Sequence, residues 1–266
     1  MLTSTFIHLK GIGSSTERRL WLDGIRDWTA FLNQPLVSGI SMERKALYDR
    51  DIAAATSALE EKNSRYFTRR LQAREHWRLF ETFKHRILYM DIETTGTSPY
   101  DGYVTMVGLY RNGRMSTLVH GESLSSGRLQ DELDQADLLV TFFGSVFDVP
   151  YLKAKFPEVR LDLPHFDLCF AARRLRLTGG LKYIEQEFDI VRPTDIASLD
   201  GWEAVRLWHR WRAGSSAALD LLIRYNEADT RNLETLSELL YPQLVTHYGP
   251  PDLHVSPALS IEEQVI

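Results

Sequence analysis

Ile87-Leu88-Tyr89-Met90-Asp91-Ile92-Glu93-Thr94-Thr95-Gly96 is an apolar run that closes on two carboxylates one residue apart. A short apolar stretch bounded by polar residues has the length of a buried strand. Side chains on a strand alternate with period two, so Asp91 and Glu93 project from one face, side by side, at the strand's end. Like charges held that close repel, and a divalent cation is the natural neutralising partner. Asp-x-Glu also occurs by chance on many strands. The acids further along the chain carry the rest of the argument.

Asp148 follows the strand-like run Leu138-Leu139-Val140-Thr141-Phe142, in Phe143-Gly144-Ser145-Val146-Phe147-Asp148-Val149-Pro150. Asp229 lies in a long helical pattern, four residues after Tyr225, so both occupy one helix face about one turn apart. Read singly, Asp148 is equally a helix cap ahead of Pro150, Asp229 an exposed helix acid, and Tyr225 a core tyrosine. Read together, four acids from a strand end and two helices make a cage for two cations. Its hard oxygen ligands suit Mg2+ or Mn2+ better than zinc.

The order Asp91-x-Glu93-Thr94-x-Gly96, then Phe147-Asp148-x-Pro150, then Tyr225-x-x-x-Asp229 resembles the three motifs of the tyrosine-bearing (DEDDy) branch of the DEDD 3′→5′ exonucleases. More narrowly it resembles the ribonuclease-H-like, YprB-type predicted exonucleases. The resemblance covers roughly residues 86–245. It includes His165-Phe166-Asp167-Leu168, Leu181-Lys182-Tyr183-Ile184-Glu185 and Tyr225-Asn226. It implies a metal-dependent hydrolase of phosphodiesters that trims nucleic acid, DNA or RNA, from a single-stranded 3′ end with two divalent ions, Mg2+ or Mn2+. By motif position Asp91 bridges the ions, Glu93 and Asp229 hold the one carrying the attacking water, and Asp148 supports the other. Tyr225 orients that water or helps to deprotonate it, and the former requires no ionised phenol. Thr94 and Lys182 are candidate contacts to the polymer, and Asp167 a support for the site. One departure stands out: many relatives carry Asn five residues before the second Asp, where this chain has Phe143. The alternative is a catalytically inactive module that holds nucleic acid on the same scaffold.

A second signal lies at the front. In Leu9-Lys10-Gly11-Ile12-Gly13-Ser14-Ser15-Thr16-Glu17-Arg18-Arg19-Leu20, two glycines permit positive φ and close backbone approach just before a helix. The first amides of that helix point at an anion, and its dipole helps. This resembles a helix-hairpin-helix element, which grips a nucleic-acid backbone, with Lys10, Gly11, Gly13, Arg18 and Arg19 as the candidate contacts. A purely structural turn packed against the main domain is the competing reading.

The expected organisation is a hairpin element over 1–40, a helical connector over 41–85, an α/β domain over 86–245 and an irregular tail over 246–266. The connector interleaves Arg65, Arg69, Arg70, Arg74, Arg78 and Lys84 with Tyr66, Phe67, Trp77, Phe80 and Phe83. That is either a track on which bases stack or, as its spacing favours, an amphipathic helix whose aromatics enter the core. Strands are expected near 86–92, 103–111, 114–120, 138–143 and 163–168, with Asn112-Gly113 turning the second into the third. Helices are expected near 43–62, 127–136, 148–156, 180–187, 201–213 and 216–239. The result is a mixed five-stranded sheet flanked by helices, of the ribonuclease H kind, behind a small helical front.

The chain has 266 residues and 44% hydrophobic content, enough for one main domain and a small one. Its net charge of −5 is uneven: residues 1–90 hold 15 Lys and Arg against 10 Asp and Glu, the remainder 16 against 26. A basic front and an acidic body suit a grip joined to a metal site. The single cysteine, Cys169, excludes an intrachain disulfide and reads as a buried thiol in a reducing, cytoplasmic setting. No segment is expected to cross a membrane, no signal peptide is expected, and no protein partner is legible.

Overall fold

A computed structural model describes residues 1–251 and 253. The chain begins with helices α1 (Ser14–Leu22), α2 (Trp28–Leu32), α3 (Met42–Glu60) and α4 (Arg65–Thr68). Then follow β1 (Ile87–Thr94), β2 (Val104–Arg111), β3 (Arg114–Val119), α5 (Ser126–Asp134), β4 (Leu138–Thr141), α6 (Asp148–Lys155) and β5 (His165–Asp167). Helices α7 (Leu168–Arg174), α8 (Leu181–Glu187), α9 (Thr194–Ala197), α10 (Gly201–Arg212) and α11 (Ser216–Tyr248) complete it.

The five strands form one mixed sheet in the order β3-β2-β1-β4-β5. β1 pairs antiparallel with β2 and parallel with β4, so the apolar strand that carries Asp91 and Glu93 is central. Its two faces serve two cores. Leu88, Met90 and Ile92 pack with Leu129 and Leu133 of α5 and Leu152 of α6. Ile87 and Tyr89 face the other way, into the cluster holding Leu233, Leu236, Leu240 and Tyr241 of α11. Period two therefore sends Asp91 and Glu93 to the α11 side as well. The hairpin between β2 and β3 turns on Asn112 and Gly113 at φ 50° and 77°, the left-handed pair that such a turn requires.

Helix α11 crosses the sheet antiparallel to β1: Tyr89 meets Ser237 (Oη···Oγ 3.4 Å), whereas Asp91 meets Asn226, much nearer the helix start. The approach is close. Gly108, opposite Asp91 on β2, lies where any Cβ would overlap Thr230 Oγ1 and Asn226 Oδ1. The helix also outruns its expected end. Pro242 removes one backbone donor, yet Leu240, Tyr241, Leu244 and Val245 are all buried around it, and their packing carries the helix to Tyr248. The expected irregular tail thus begins with helix at 246–248, and its residues 252 and 254–266 lie outside the described part. Helix α7 was not anticipated; it starts directly on β5, where Asp167 caps it through Cys169 N (3.1 Å).

The front packs on the same core as the sheet. Phe6, Trp21, Trp28, Phe67, Trp77 and Phe80 form one contiguous cluster with Leu236 and Tyr241. The connector's aromatics Phe67, Trp77, Phe80 and Phe83 are buried, so the core reading holds over the stacking track. Residues Ala73–Leu79 form a 3₁₀ turn instead of an α-helix. Arg78, 3% exposed, ties this region down: it bonds Glu75 Oε2 and Glu17 Oε2, each at 2.9 Å. Glu17 Oε1 in turn accepts from Phe6 N at 2.6 Å.

Candidate metal centre

Two stripes change character at the same level of the molecule. Along β1 the α11-facing residues run Ile87, Tyr89, Asp91, Glu93; along α11 the sheet-facing residues run, from the far end, Leu240, Leu236, Leu233, Asp229, Tyr225. The antiparallel crossing brings the acidic ends together. Oxygen atoms of Asp91, Glu93 and Asp229 lie within 4.8 Å of one another. Asp148, the first residue of α6, lines the same cleft but stands outside that set of three. The cleft has a volume of about 420 Å³, and Phe143, Trp202 and Tyr225 also line it.

Burial sets the electrostatics. Desolvation first, then the neighbouring carboxylates Asp229, Glu93 and Asp148, push Asp91 well above the usual carboxylate range. Glu93 is raised for the same reasons. Asp148 is pushed up to about 7, chiefly by burial, with the Asp167 charge adding to it. Asp229 is raised by burial, against the pull of Arg192. Four buried carboxyls this close oppose one another's ionisation, and a cation relieves that. Their carboxylate oxygens are a donor set for a hard divalent ion, so the residues present fit the expected metal.

Each expected residue has a definite place. Tyr225, one turn before Asp229, lines the same cleft, and burial first, then the charges of Asp229, Glu93 and Asp91, raises its phenol. Lys182 at the start of α8 lies with its ammonium 5.1 Å from the Tyr225 ring centre and donates to Ala197 O at 3.3 Å. Burial, then Arg192, lowers its pKa. Thr94 lines the cleft while its hydroxyl donates to Gly96 O at 2.8 Å. At the front, Lys10, Gly11, Gly13 and Arg18 are exposed around the α1 start, with Gly11 at φ 91°. Arg19 turns instead to the Ser38 carbonyl, at 3.0 Å. What precedes the glycine loop is a three-residue 3₁₀ turn, Leu2–Ser4.

Asp167 supports the site from behind. It accepts from Phe143 N and Ser145 N, both at 2.9 Å, and from Ser145 Oγ at 2.6 Å, fixing the loop that leads into Asp148.

Sequence reasoning named Asn226 without giving it a role, and missed Arg192. Asn226 Nδ2 donates to Asp91 Oδ2 at 2.9 Å, orienting the carboxylate expected to bridge. Arg192, 5% exposed, forms an ion pair with Asp229 Oδ1 and bonds both oxygens of Glu185, at 2.5 and 2.7 Å. A lone arginine within the apolar string Ile190-Val191-Arg192-Pro193 was the available signal, since a guanidinium there needs a buried partner.

The sequence model of the RNase_H superfamily matches residues 88–241, more than half of the chain. The chain belongs to that superfamily. Membership accounts for the mixed sheet with β1 at its centre. Comparison with curated proteins gives no match. Among solved structures, the family B DNA polymerase of Pyrobaculum calidifontis is similar over 61% of this chain at 20% identity, TM-score 0.51. The matched part spans 25% of the polymerase's length. A structure described as the apo form of a nuclease matches at 22% identity over 66% of this chain and 79% of its own, TM-score 0.46. NrnC of Brucella melitensis with bound Mg2+ matches at 22% identity over 63% and 78%, TM-score 0.45. The likeness to the polymerase speaks to the fold alone.

Proposed function

We propose that this RNase_H-superfamily protein is a divalent-metal-dependent nuclease, and that it acts as a 3′→5′ exonuclease on single-stranded DNA or RNA. The observation that carries this reading is the convergence of Asp91, Glu93, Asp148 and Asp229 in one buried cleft, with their acidities suppressed by burial and mutual repulsion. Asp91, Glu93 and Asp229 would hold one ion, and Asp148 with Asp91 a second. Such ions, when bound, activate water and offset charge on the phosphodiester and its leaving oxygen.

The chain's own groups do the rest. Asn226 keeps Asp91 in one orientation by its bond to Oδ2, so one oxygen remains for a ligand. Tyr225 is poised beside Asp229 to hold a water by hydrogen bonding; its raised phenol stays protonated at neutral pH and acts as a donor. Lys182 stands over the Tyr225 ring, where its ammonium can meet a phosphate entering the cleft. The glycine loop with Lys10 and Arg18 supplies a second, sequence-independent contact to the backbone.

One observation favours a second reading. Arg192 already occupies an oxygen of Asp229, as it would in a site that had given up metal for an internal cation and holds nucleic acid without cutting it. A labelled single strand incubated with Mg2+ or Mn2+ separates the two: the enzyme yields a ladder from the 3′ end, lost in Asp91→Asn and Asp229→Asn. A parent that binds the strand and leaves it whole favours the second, and cleavage of a circular strand would replace exonuclease by endonuclease.

A further inference from the structure

Beside the carboxylates, the loop from β4 to α6 and helix α7 present two aromatic rings to solvent where a folding chain would normally bury them. Phe143 and Phe170 are each 37% exposed, their ring centres 6.1 Å apart and their planes at 28°. The Arg173 guanidinium lies over both, 5.9 Å from the first ring and 5.2 Å from the second. Phe143 has φ 63°, a left-handed backbone that disfavours residues with a Cβ. The chain holds it there with Asp167, which accepts from the Phe143 and Ser145 amides. Phe143 also lines the carboxylate cleft, so the exposed ring belongs to the site's rim.

We propose that Phe143, Phe170 and Arg173 form a stacking platform for an unpaired nucleobase of the strand whose phosphodiester lies in the cleft. A ligand for this surface needs a flat π face and a neighbouring anion, and a nucleotide offers both; the cation favours the anion and the rings favour the base. Stacking is open to every base, since each has a π face, so the platform selects strand state and not sequence. A base inside a duplex has both faces covered by its neighbours and cannot lie on it. The substrate class is therefore a single-stranded or frayed end. The inference rests on the nuclease reading for the position of the phosphodiester.

The test is fluorescence anisotropy of a short labelled single strand, with Mg2+, in the Asp91→Asn background to suppress hydrolysis. Phe143→Leu and Phe170→Leu keep apolar bulk without the π face and should each weaken binding roughly tenfold, the loss of about one stack. Phe143→Trp should bind at least as well as the parent. A strand with an abasic residue at one of its last three positions should lose the same factor against the parent platform and little more against Phe143→Leu. Leucine variants that bind like the parent, or abasic and leucine losses that multiply at every position, would overturn the platform; melting temperatures confirm that each variant is folded. Hydrolysis by protein with Asp91 intact is scored separately. Cleavage combined with unaffected leucine variants removes the platform and keeps the nuclease. Coupled losses in a protein that never cleaves keep the platform and remove the chemistry.

Discussion

Replacing Arg192 with methionine deletes the one guanidinium that joins Asp229 to Glu185, all three groups being nearly inaccessible, with side-chain exposures of 5%, 11% and 2%. Methionine keeps length and apolar bulk, so the change is mainly one of charge. Breaking a buried pair from one side leaves uncompensated charge, at a cost of about 3–5 kcal/mol. In a chain of this size each kcal/mol moves the midpoint by roughly 2–4 °C, so a cost near the middle of that range lowers Tm by about 8–16 °C. The assay is thermal unfolding in EDTA and again with Mg2+ at increasing concentration. A metal that binds the folded cleft should stabilise the parent by about 2.7 kcal/mol at a hundredfold excess over its Kd. With Arg192 gone, a cation has one more unneutralised carboxylate to meet, so the gap between variant and parent should narrow as Mg2+ rises. Pairing the change with Glu185→Gln should recover part of the loss in EDTA. A variant that melts within about 1 °C of the parent in EDTA would refute the idea that this pair carries a large share of stability. A gap that widens with metal would show instead that Arg192 helps to build the cation site.

Asp91→Asn should raise Tm in EDTA at neutral pH, because it removes a carboxyl that is ionised in the unfolded chain and whose ionisation in the fold desolvation and three neighbouring acids oppose, and should abolish most of the metal-induced shift; an unchanged metal response in calorimetry would dissociate Asp91 from the ion. The metal-free protein should lose stability as pH rises: a carboxyl whose folded pKa is raised stabilises below its unfolded value and loses that contribution as pH climbs through the folded one. For Asp148 this window runs from the ordinary aspartate value of 3.8 to about 7, and saturating Mg2+ should flatten or reverse the slope in melts taken at stepped pH. Gly108→Ala should destabilise by more than about 2 kcal/mol in denaturant titrations, since its Cβ meets Asn226 and Thr230 under α11; a neutral result would mean the helix stands farther from the sheet.

Much of the sheet, and the acids that meet in the candidate site, were legible because their signals are local. The strand and helix positions follow from apolar periodicity and from the Asn112-Gly113 turn, and the end of α11 was misjudged because Pro242 is a local stop that surrounding burial overrides. Asp167 was expected to support the site; its four accepted hydrogen bonds hold the loop that leads into Asp148 and the start of α7. Arg192 was not foreseen, because nothing near it in the chain names its partner.

Period two on a strand and a repeat near four on a helix are enough to say that Asp91 shares a face with Glu93 and that Tyr225 shares one with Asp229. The amino-acid order thus determined which side chains belong together within each element, and the short apolar flanks determined that both elements would be buried. Only the tertiary structure decided that α11 runs antiparallel over β1, close enough above Gly108 for the two acidic ends to coincide, and that Arg192 enters between Asp229 and Glu185. It also decided that the Phe143 ring, locked by Asp167 from another strand, is turned outward beside them. The reason is one of range: backbone geometry fixes neighbours a turn or a pleat apart, whereas contacts between distant segments depend on how whole faces pack.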